Sequence, residues 1–157
     1  MTDTLKSICE QCTHLLDPQF EFIPSELQRH KEIILRDIGE IVSAAAAGQE
    51  KTVTVLAGGI FESVLYSFIQ GQIEYIAVRR GGSFTFDPDG NLDNYISIFN
   101  RWFSEVFTIP DIVVQYRNFV HINQELQYPS DTCQIAAPEM LRLLDALLGK
   151  LTEYAKS

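Results

Sequence analysis

Three side chains with complementary chemistry lie close together in the chain, at Arg117, Asn118 and His121. Residues three and four apart share one face of a helix, so this spacing predicts that the guanidinium, amide and imidazole lie side by side. An imidazole titrates near neutral pH, and a guanidinium holds a phosphate through paired donors. The pattern is typical of a site that cleaves a phosphodiester without a metal ion. Neither a cofactor nor a metal ion is expected there.

Glu62 is a fourth candidate, and it lies far upstream in the most apolar segment of the chain. Helical spacing puts it on the side of its helix away from the core. Across a contact between helices, its carboxylate would pair with Arg117 or His121. The alternative is a lone surface glutamate.

The motif is predicted to lie on a helix that ends near Asn123. At about 100° per residue, one arc of this helix is apolar and faces the core: Ile112, Val113, Tyr116, Phe119 and Val120. The opposite arc carries the three motif residues and Val114. An apolar residue among outward polar ones predicts a covered surface, such as a subunit contact. The alternative is an exposed polar face where Asn118 and His121 merely end the helix.

The run at residues 114–121 resembles the RN-x-x-H signature of HEPN-type helical domains. Residues 54–65, which include a glycine pair, are similar to a helix rich in small residues that lies upstream in those proteins. With a final leucine-rich helix, the resemblance covers about residues 50–151. Residues 1–49 are expected to add two helices to the same single domain. The resemblance implies a HEPN-like homodimer in which two motif helices meet.

Two functions follow from the resemblance. One is a metal-independent endoribonuclease in a defence or toxin–antitoxin system. In it, His121 is general acid or base, Arg117 stabilises charge on the phosphorane and Asn118 orients the substrate. The other is a dimerising module that binds a partner protein, such as an antitoxin, or a nucleotide or RNA. In that module the motif serves helix packing.

Two positions depart from the pattern of the ribonucleases in that family. Their arginine is usually separated from the histidine by four to six residues, and the position with six intervening residues is Val114 here. Arg117 has only three intervening residues. The proline that often follows the histidine is Ile122. The first departure favours the binding module over the enzyme.

Composition predicts a single globular domain with an acidic surface. The chain has 157 residues, of which 46% are hydrophobic, and its 21 acidic and 12 basic residues give a net charge of −9. Polyanion binding draws on clustered Lys and Arg, so DNA binding is not expected and any RNA contact must be local. The densest basic runs, at residues 29–31 and 79–80, are predicted to be solvated helix ends or faces.

Helical periodicity predicts an all-α, up-and-down bundle of five to six helices. The predicted spans are about residues 4–16, 25–47, 50–78, 92–107, 108–123 and 130–154. Ser25 and Gln28 form a capping-box pattern at the second helix, and Gly48 is a natural stop. Gly58 and Gly59 lower helix propensity, which predicts a closely packed neighbour. The predicted core includes Val53, Leu56, Ile60, Val64, Tyr95, Phe99, Trp102, Val113, Tyr116, Val120, Leu144 and Leu147.

Two further patterns bear on location and metal binding. Residues 53–69 are apolar but contain an acid and two glycines, which favours a buried helix over a membrane span. No secretory signal pattern is visible, so a cytoplasmic location is expected. Cys9 and Cys12 share a helix face as small hydrophobes; the alternative is a zinc site that Cys133 would help to complete. Residues 87–90, with the sequence Asp-Pro-Asp-Gly, predict a turn.

Overall fold

The computed structural model describes residues 4–86 and 89–157, and every regular element in these two ranges is helical. The predicted all-α class is therefore confirmed. The described residues form nine α-helices and one 3-10 helix: α1 (Leu5–Glu10), α2 (Thr13–Leu16), α3 (Gln28–Ala46), α4 (Glu50–Gln70), α5 (Ile73–Arg80), α6 (Leu92–Phe103), α7 (Ile112–Arg117), the 3-10 helix (Asn118–Val120), α8 (Ile122–Glu125) and α9 (Thr132–Lys156).

The predicted count of five to six helices is too low, because three predicted helices are interrupted. The first divides into α1 and α2 at Gln11 and Cys12. The third divides into α4 and α5 at Gly71, whose amide donates to the Phe68 carbonyl at 3.0 Å. Pro24 packs there: a Cβ on Gly71 would stand 3.0 Å from its Cγ. The third interruption falls within the motif.

The start of α3 also differs from the prediction. The helix begins at Gln28 without a side-chain cap, so the expected capping box at Ser25 is wrong. The Leu27 amide instead donates to the Pro24 carbonyl at 3.0 Å, which closes a turn ahead of the helix. At the other end the prediction is confirmed. Gly48 has a φ of 70°, a left-handed conformation that suits glycine, just after α3 ends.

Helix α4 lies at the centre of the bundle and packs against α3, α6, α7 and α9. Its Phe68 is fully buried and contacts rings from α6 and α9, with centroids 4.9 Å away at Phe103 and 5.5 Å away at Tyr154. Edge-on ring packing of this kind adds to the stabilisation from burial itself. By length and composition α4 could cross a membrane, but 61% of the relevant window is buried inside the protein.

The predicted core is confirmed with three exceptions. Nine of its residues are buried, whereas Leu56 and Trp102 are only partly buried. Val120 is 50% exposed, so its assignment to the core is wrong. Its neighbour Phe119, on the same predicted arc, is fully buried.

The two N-terminal cysteines are core residues. Cys9 and Cys12 are both buried, and the Cys12 thiol lies 3.3 Å from the Ile8 carbonyl, to which it donates. Burial, and then the nearby Asp145 carboxylate, raises the pKa of Cys12 from 9.0 to about 12. Both side chains therefore lie where the sequence predicted small buried hydrophobes.

Residues 83–86 form no regular secondary structure. Part of the turn predicted at residues 87–90, namely Asp87 and Pro88, lies outside the described residues. The segment connects α5 to α6. Helix α5 is capped at its C-terminus by Gly81, which has a φ of 80°. At the start of α6, the Asn91 side chain accepts from the Asn94 amide at 3.0 Å. This cap fixes the start of α6, which borders the candidate site.

Candidate functional site

Helix α7 approaches α4 closely because Gly58 has no side chain. A Cβ built on Gly58 would stand 2.7 Å from both the Cβ and the Cδ of Arg117. Such a separation is not tolerated, so the Arg117 side chain lies on the bare backbone of α4. Gly59, by contrast, has nothing within 4 Å of the corresponding position. The prediction of a close neighbour at the glycine pair is confirmed for Gly58, and that neighbour is α7 of the same chain.

Asn100 holds the connection between α6 and α7. Its side-chain oxygen accepts from the Ile109 amide and its nitrogen donates to the Ile109 carbonyl, both at 2.9 Å. Ile109 itself is buried. Since the Asn100 side chain satisfies both the amide and the carbonyl of Ile109, it holds in place the segment that leads into α7. Val113 and Tyr116 then face the core from α7.

The motif does not lie on one continuous helix. Helix α7 ends at Arg117, a 3-10 turn follows, and His121 is extended, with φ −98° and ψ 118°. The predicted helix to Asn123 and the stacking of Arg117 on His121 are therefore wrong. Phe119, within the 3-10 turn, is fully buried, with its ring centroid 5.0 Å from that of Tyr128.

Glu62 pairs with Arg117 across the contact between α4 and α7. The distance from its Oε2 to the Arg117 Nε is 3.7 Å, and the two side chains are 32% and 31% exposed. The pairing foreseen as one alternative is present, and a lone surface glutamate is not. The Arg117 Nε is buried and has no hydrogen-bond partner among residues 4–86 and 89–157. The contact is therefore an ion pair without a hydrogen bond through that nitrogen.

One pocket of about 320 Å³ brings the four predicted residues together. It lies between α4, α7 and the start of α6, and its lining consists of Glu62, Asn91, Leu92, Asp93, Val114, Arg117, Asn118 and His121. The sequence indicated the helix start at α6 but not that it borders this site. Asn91 and Asp93 were missed because their proximity to α7 depends on the packing of α6 and α7 against α4.

The pocket is acidic rather than basic. Two carboxylates, from Glu62 and Asp93, line it together with a single cation, Arg117. Val114 contributes an apolar wall where a second cation would help to hold a phosphate. In the described part of the chain, no three His, Cys, Asp or Glu residues come together in a way that could hold a metal ion.

The segment around and after the 3-10 turn is held to α4 by an ion pair, and large apolar side chains lie on its exposed surface. Lys51, at the start of α4, forms an ion pair with Glu125 of α8. Around His121, which is itself exposed, three large apolar side chains face solvent: Val120 at 50%, Ile122 at 67% and Leu126 at 74% exposure. The apolar surface next to the motif is therefore larger than the single Val114 that the sequence indicated.

A second pocket, of about 310 Å³, shares Glu62 with the first. His30 lies on its wall and stacks on Tyr66, with ring planes 6° apart and centroids 5.3 Å apart. Within the basic run at residues 29–31, Arg29 forms an exposed ion pair with Glu32 at 3.4 Å. This run is therefore divided between a surface ion pair and a ring contact.

Comparison with known proteins found no matching family model, no matching curated protein and no matching solved structure.

Proposed function

We propose that this chain is a HEPN-like helical module that forms a homodimer through the surface around His121 and does not cleave RNA strongly. The observation that carries the proposal is the position of Arg117. Its side chain fills the space left by Gly58, and its Nε faces the Glu62 carboxylate. The arginine of the motif thus serves the packing of α7 on α4.

The charges of the pocket support binding without strong catalysis. Cleavage of a phosphodiester requires stabilisation of negative charge as it develops on the phosphorane. Here the single arginine faces one carboxylate, and Asp93 brings a second into the same pocket. Both carboxylates would repel a phosphate group, and the net charge of −9 adds to that repulsion.

The apolar side chains beside His121 support a dimer contact. Val120, Ile122 and Leu126 are at least half exposed within a span of seven residues. Exposed apolar residues grouped in this way mark interaction surfaces, because their burial in a partner is favourable. The proposed occupant is a second copy of the chain. The proposed setting is a cytoplasmic defence or toxin–antitoxin system, in which an antitoxin-like protein, a nucleotide or RNA would be a further partner.

The dimer is tested by light scattering on two variants with the same change in charge. Ile122→Asp places a carboxylate in the proposed contact, whereas Leu35→Asp alters an apolar residue on α3 that is 49% exposed. We expect a dimer mass for the wild type and for Leu35→Asp at micromolar concentration, and a monomer mass for Ile122→Asp. A monomer mass for the wild type at about 100 µM, a concentration at which even a weak dimer forms, would contradict the proposal.

A metal-independent endoribonuclease is the second candidate. The observation that favours it is the single pocket that collects Glu62, Arg117, Asn118 and His121. In this function the exposed His121 transfers a proton to or from the ribose hydroxyl, while Arg117 and Asn118 contact the phosphate.

The two candidates are separated by incubating purified protein with single-stranded RNA in EDTA. The first proposal predicts weak cleavage or none. Robust cleavage by the wild type that is lost in His121→Ala would establish the enzyme instead. His121 is exposed, so its replacement opens no core cavity, and circular dichroism is expected to show an unchanged helix content.

A further inference from the structure

A separate pocket lies where the end of α5 meets the last turns of α6. Its volume is about 250 Å³. The residues that line it are Arg80, Phe84, Ser97, Ile98, Arg101 and Trp102. It shares no residue with the pocket around His121. Its lining combines two cations with two aromatic rings.

Both arginines line this pocket, and no carboxylate is among its lining residues in the described part of the chain. Neither Arg80 nor Arg101 forms an ion pair with any described residue, although the chain has 21 acidic residues. Two cationic residues on the wall of one pocket favour the binding of an anion there. In a protein with a net charge of −9, this is a local basic site of the kind that any polyanion contact would need.

Each guanidinium is also placed over an aromatic ring. The Arg101 Cζ lies 5.1 Å from the centre of the Trp102 ring, and the Arg80 Cζ lies 5.9 Å from the centre of the Phe84 ring. Such a contact between a cation and a ring leaves the N–H groups of the guanidinium that point away from the ring able to donate. Phe84 is buried, and Trp102 is partly exposed. Trp102 therefore still offers surface to a flat ligand.

We propose that this pocket binds a nucleotide, with the phosphate between Arg80 and Arg101 and the base against Trp102. Paired guanidinium donors recognise a phosphate, and an exposed aromatic side chain stacks on any base. This site gives a place to the nucleotide or RNA named above as a further partner and to that extent rests on the proposed function, but it depends neither on the dimer nor on the pocket around His121. The nucleotide has two sources with the same chemistry, a free mononucleotide or a unit of single-stranded RNA.

The position of the pocket on α6 limits the direction in which an RNA strand could run. Asp93, which lines the pocket around His121, is followed at intervals of four by Ser97 and Arg101, and all three are exposed. Residues four apart share a helix face. Asp93 and Arg101 are therefore about 12 Å apart along the helix axis, at a rise of 1.5 Å per residue. An RNA strand bound at Arg101 would therefore have to run away from Asp93, whose carboxylate repels its phosphates.

Another role for the arginines is stabilisation of helix ends. Arg80 lies in the last turn of α5 and Arg101 in the last turn of α6, where cations interact favourably with the helix dipole. Arg79 also lies in the last turn of α5, but its Cζ is 3.4 Å from the centre of the Tyr75 ring and it does not line the pocket. Arg79 is therefore a matched control that separates ligand binding from helix stabilisation.

The test uses the fluorescence of Trp102, the only tryptophan of the chain. The full-length protein is titrated at low salt with uridine monophosphate, with a single-stranded ten-nucleotide RNA, with inorganic phosphate and with polyglutamate. We expect saturable quenching by uridine monophosphate or the RNA. Arg80→Gln and Arg101→Gln should each weaken binding at least tenfold, and Arg79→Gln should change it less than twofold. Circular dichroism confirms that each variant is folded.

A second variant tests the pocket without removing an arginine. Ser97→Glu places a carboxylate in the lining and should weaken nucleotide binding at least tenfold through repulsion of the phosphate. Leu35→Asp should leave the affinity for uridine monophosphate unchanged, since Leu35 lines neither this pocket nor the pocket around His121. The RNA-cleavage assay tests the site at His121 and the Trp102 fluorescence tests this pocket, so failure of one is distinguished from failure of the other.

The outcomes decide both the site and the source of its ligand. Binding of the RNA at least tenfold more tightly than uridine monophosphate indicates an RNA strand, and equal affinities indicate a free nucleotide; either result supports the pocket. Absence of saturable quenching by either ligand overturns the proposal. Equal losses in Arg79→Gln and Arg80→Gln overturn it too, as does polyglutamate that binds as tightly as uridine monophosphate.

Discussion

The side chain of Arg117 lies directly on Gly58, so that a Cβ at position 58 would stand 2.7 Å from the Arg117 Cβ. The same arginine faces the Glu62 carboxylate, one turn further along α4. The residue most suited to hold a phosphate is therefore also the contact through which α7 packs on α4. Any change at Gly58 or Glu62 acts on both roles.

The two neighbouring glycines of α4 are expected to respond in opposite directions to alanine. Gly58→Ala forces α7 and Arg117 away from α4 and should lower the free energy of unfolding by about 1–3 kcal/mol, the usual cost of overpacking. Gly59→Ala meets nothing within 4 Å. It should raise the free energy of unfolding by up to about 1 kcal/mol through helix propensity. Urea unfolding of both variants measures the difference, and equal effects would show that α7 does not lie on Gly58.

Removal of the Glu62 charge is expected to release Arg117 toward anions. In Glu62→Gln the guanidinium loses its carboxylate, so affinity for labelled single-stranded RNA at low salt should rise several-fold. Glu105→Gln removes the same charge from an exposed position outside the pocket and should have a smaller effect. Fluorescence anisotropy compares the two variants. Both are made in an Arg101→Gln background, which removes binding at the pocket of Arg80 and Arg101 from the measurement. Equal RNA affinities for the two variants would show that Glu62 does not restrain Arg117.

Asn100 is expected to control the entry into α7. Asn100→Ala removes both hydrogen bonds to Ile109 and leaves a partly buried amide and carbonyl without these partners. At about 1 kcal/mol for each net hydrogen bond, the free energy of unfolding should fall by about 2 kcal/mol. Asn94→Ala is the control, because Asn94 is exposed and takes part in the cap of α6 only through its backbone amide. Thermal or urea unfolding measures both, and a loss no larger than the control contradicts the prediction.

The stability of the fold is expected to decline at alkaline pH. Burial raises the pKa of the Cys12 thiol to about 12 in the folded state, above its ordinary value of 9.0. The stabilisation linked to this shift is complete below the unfolded value and is lost as pH rises from there toward the folded pKa. The slope reaches at most about 1.4 kcal/mol per pH unit for this group.

Urea unfolding between pH 8 and pH 10.5 measures this decline. Cys12→Ala should show a shallower decline than the wild type, since the variant lacks this titrating group. Part of the slope remains, because burial also raises the pKa of Cys9 and of Tyr154. Identical slopes for the variant and the wild type would contradict the assignment to Cys12.

Local sequence patterns were sufficient for the fold class and for several boundaries. Periodic apolar residues predicted helices throughout, and Gly48 marked the end of α3 because a positive φ suits glycine. The glycine pair in α4 predicted a close neighbour, which exists at Gly58. These features depend on residues near one another in the chain, so the chain itself displays them.

The course of the motif could not be obtained from the same patterns. Helical spacing assigned Phe119 and Val120 to one buried arc, but the structure buries only Phe119. The Phe119 ring contacts the rings of Tyr116 and Tyr128, with centroids 5.7 Å and 5.0 Å away. Tyr128 lies beyond the predicted helix, so helical spacing within residues 108–123 could not show this contact.

The sequence by itself determined an all-α chain, its central apolar helix and the residues capable of phosphate chemistry. Only the tertiary structure decided which of them meet. Glu62 pairs with Arg117, and Asp93 lines the same pocket. Arg80 and Arg101 line a separate pocket. Periodicity specifies which face of a helix is apolar, but the neighbour of each polar side chain depends on how distant helices pack.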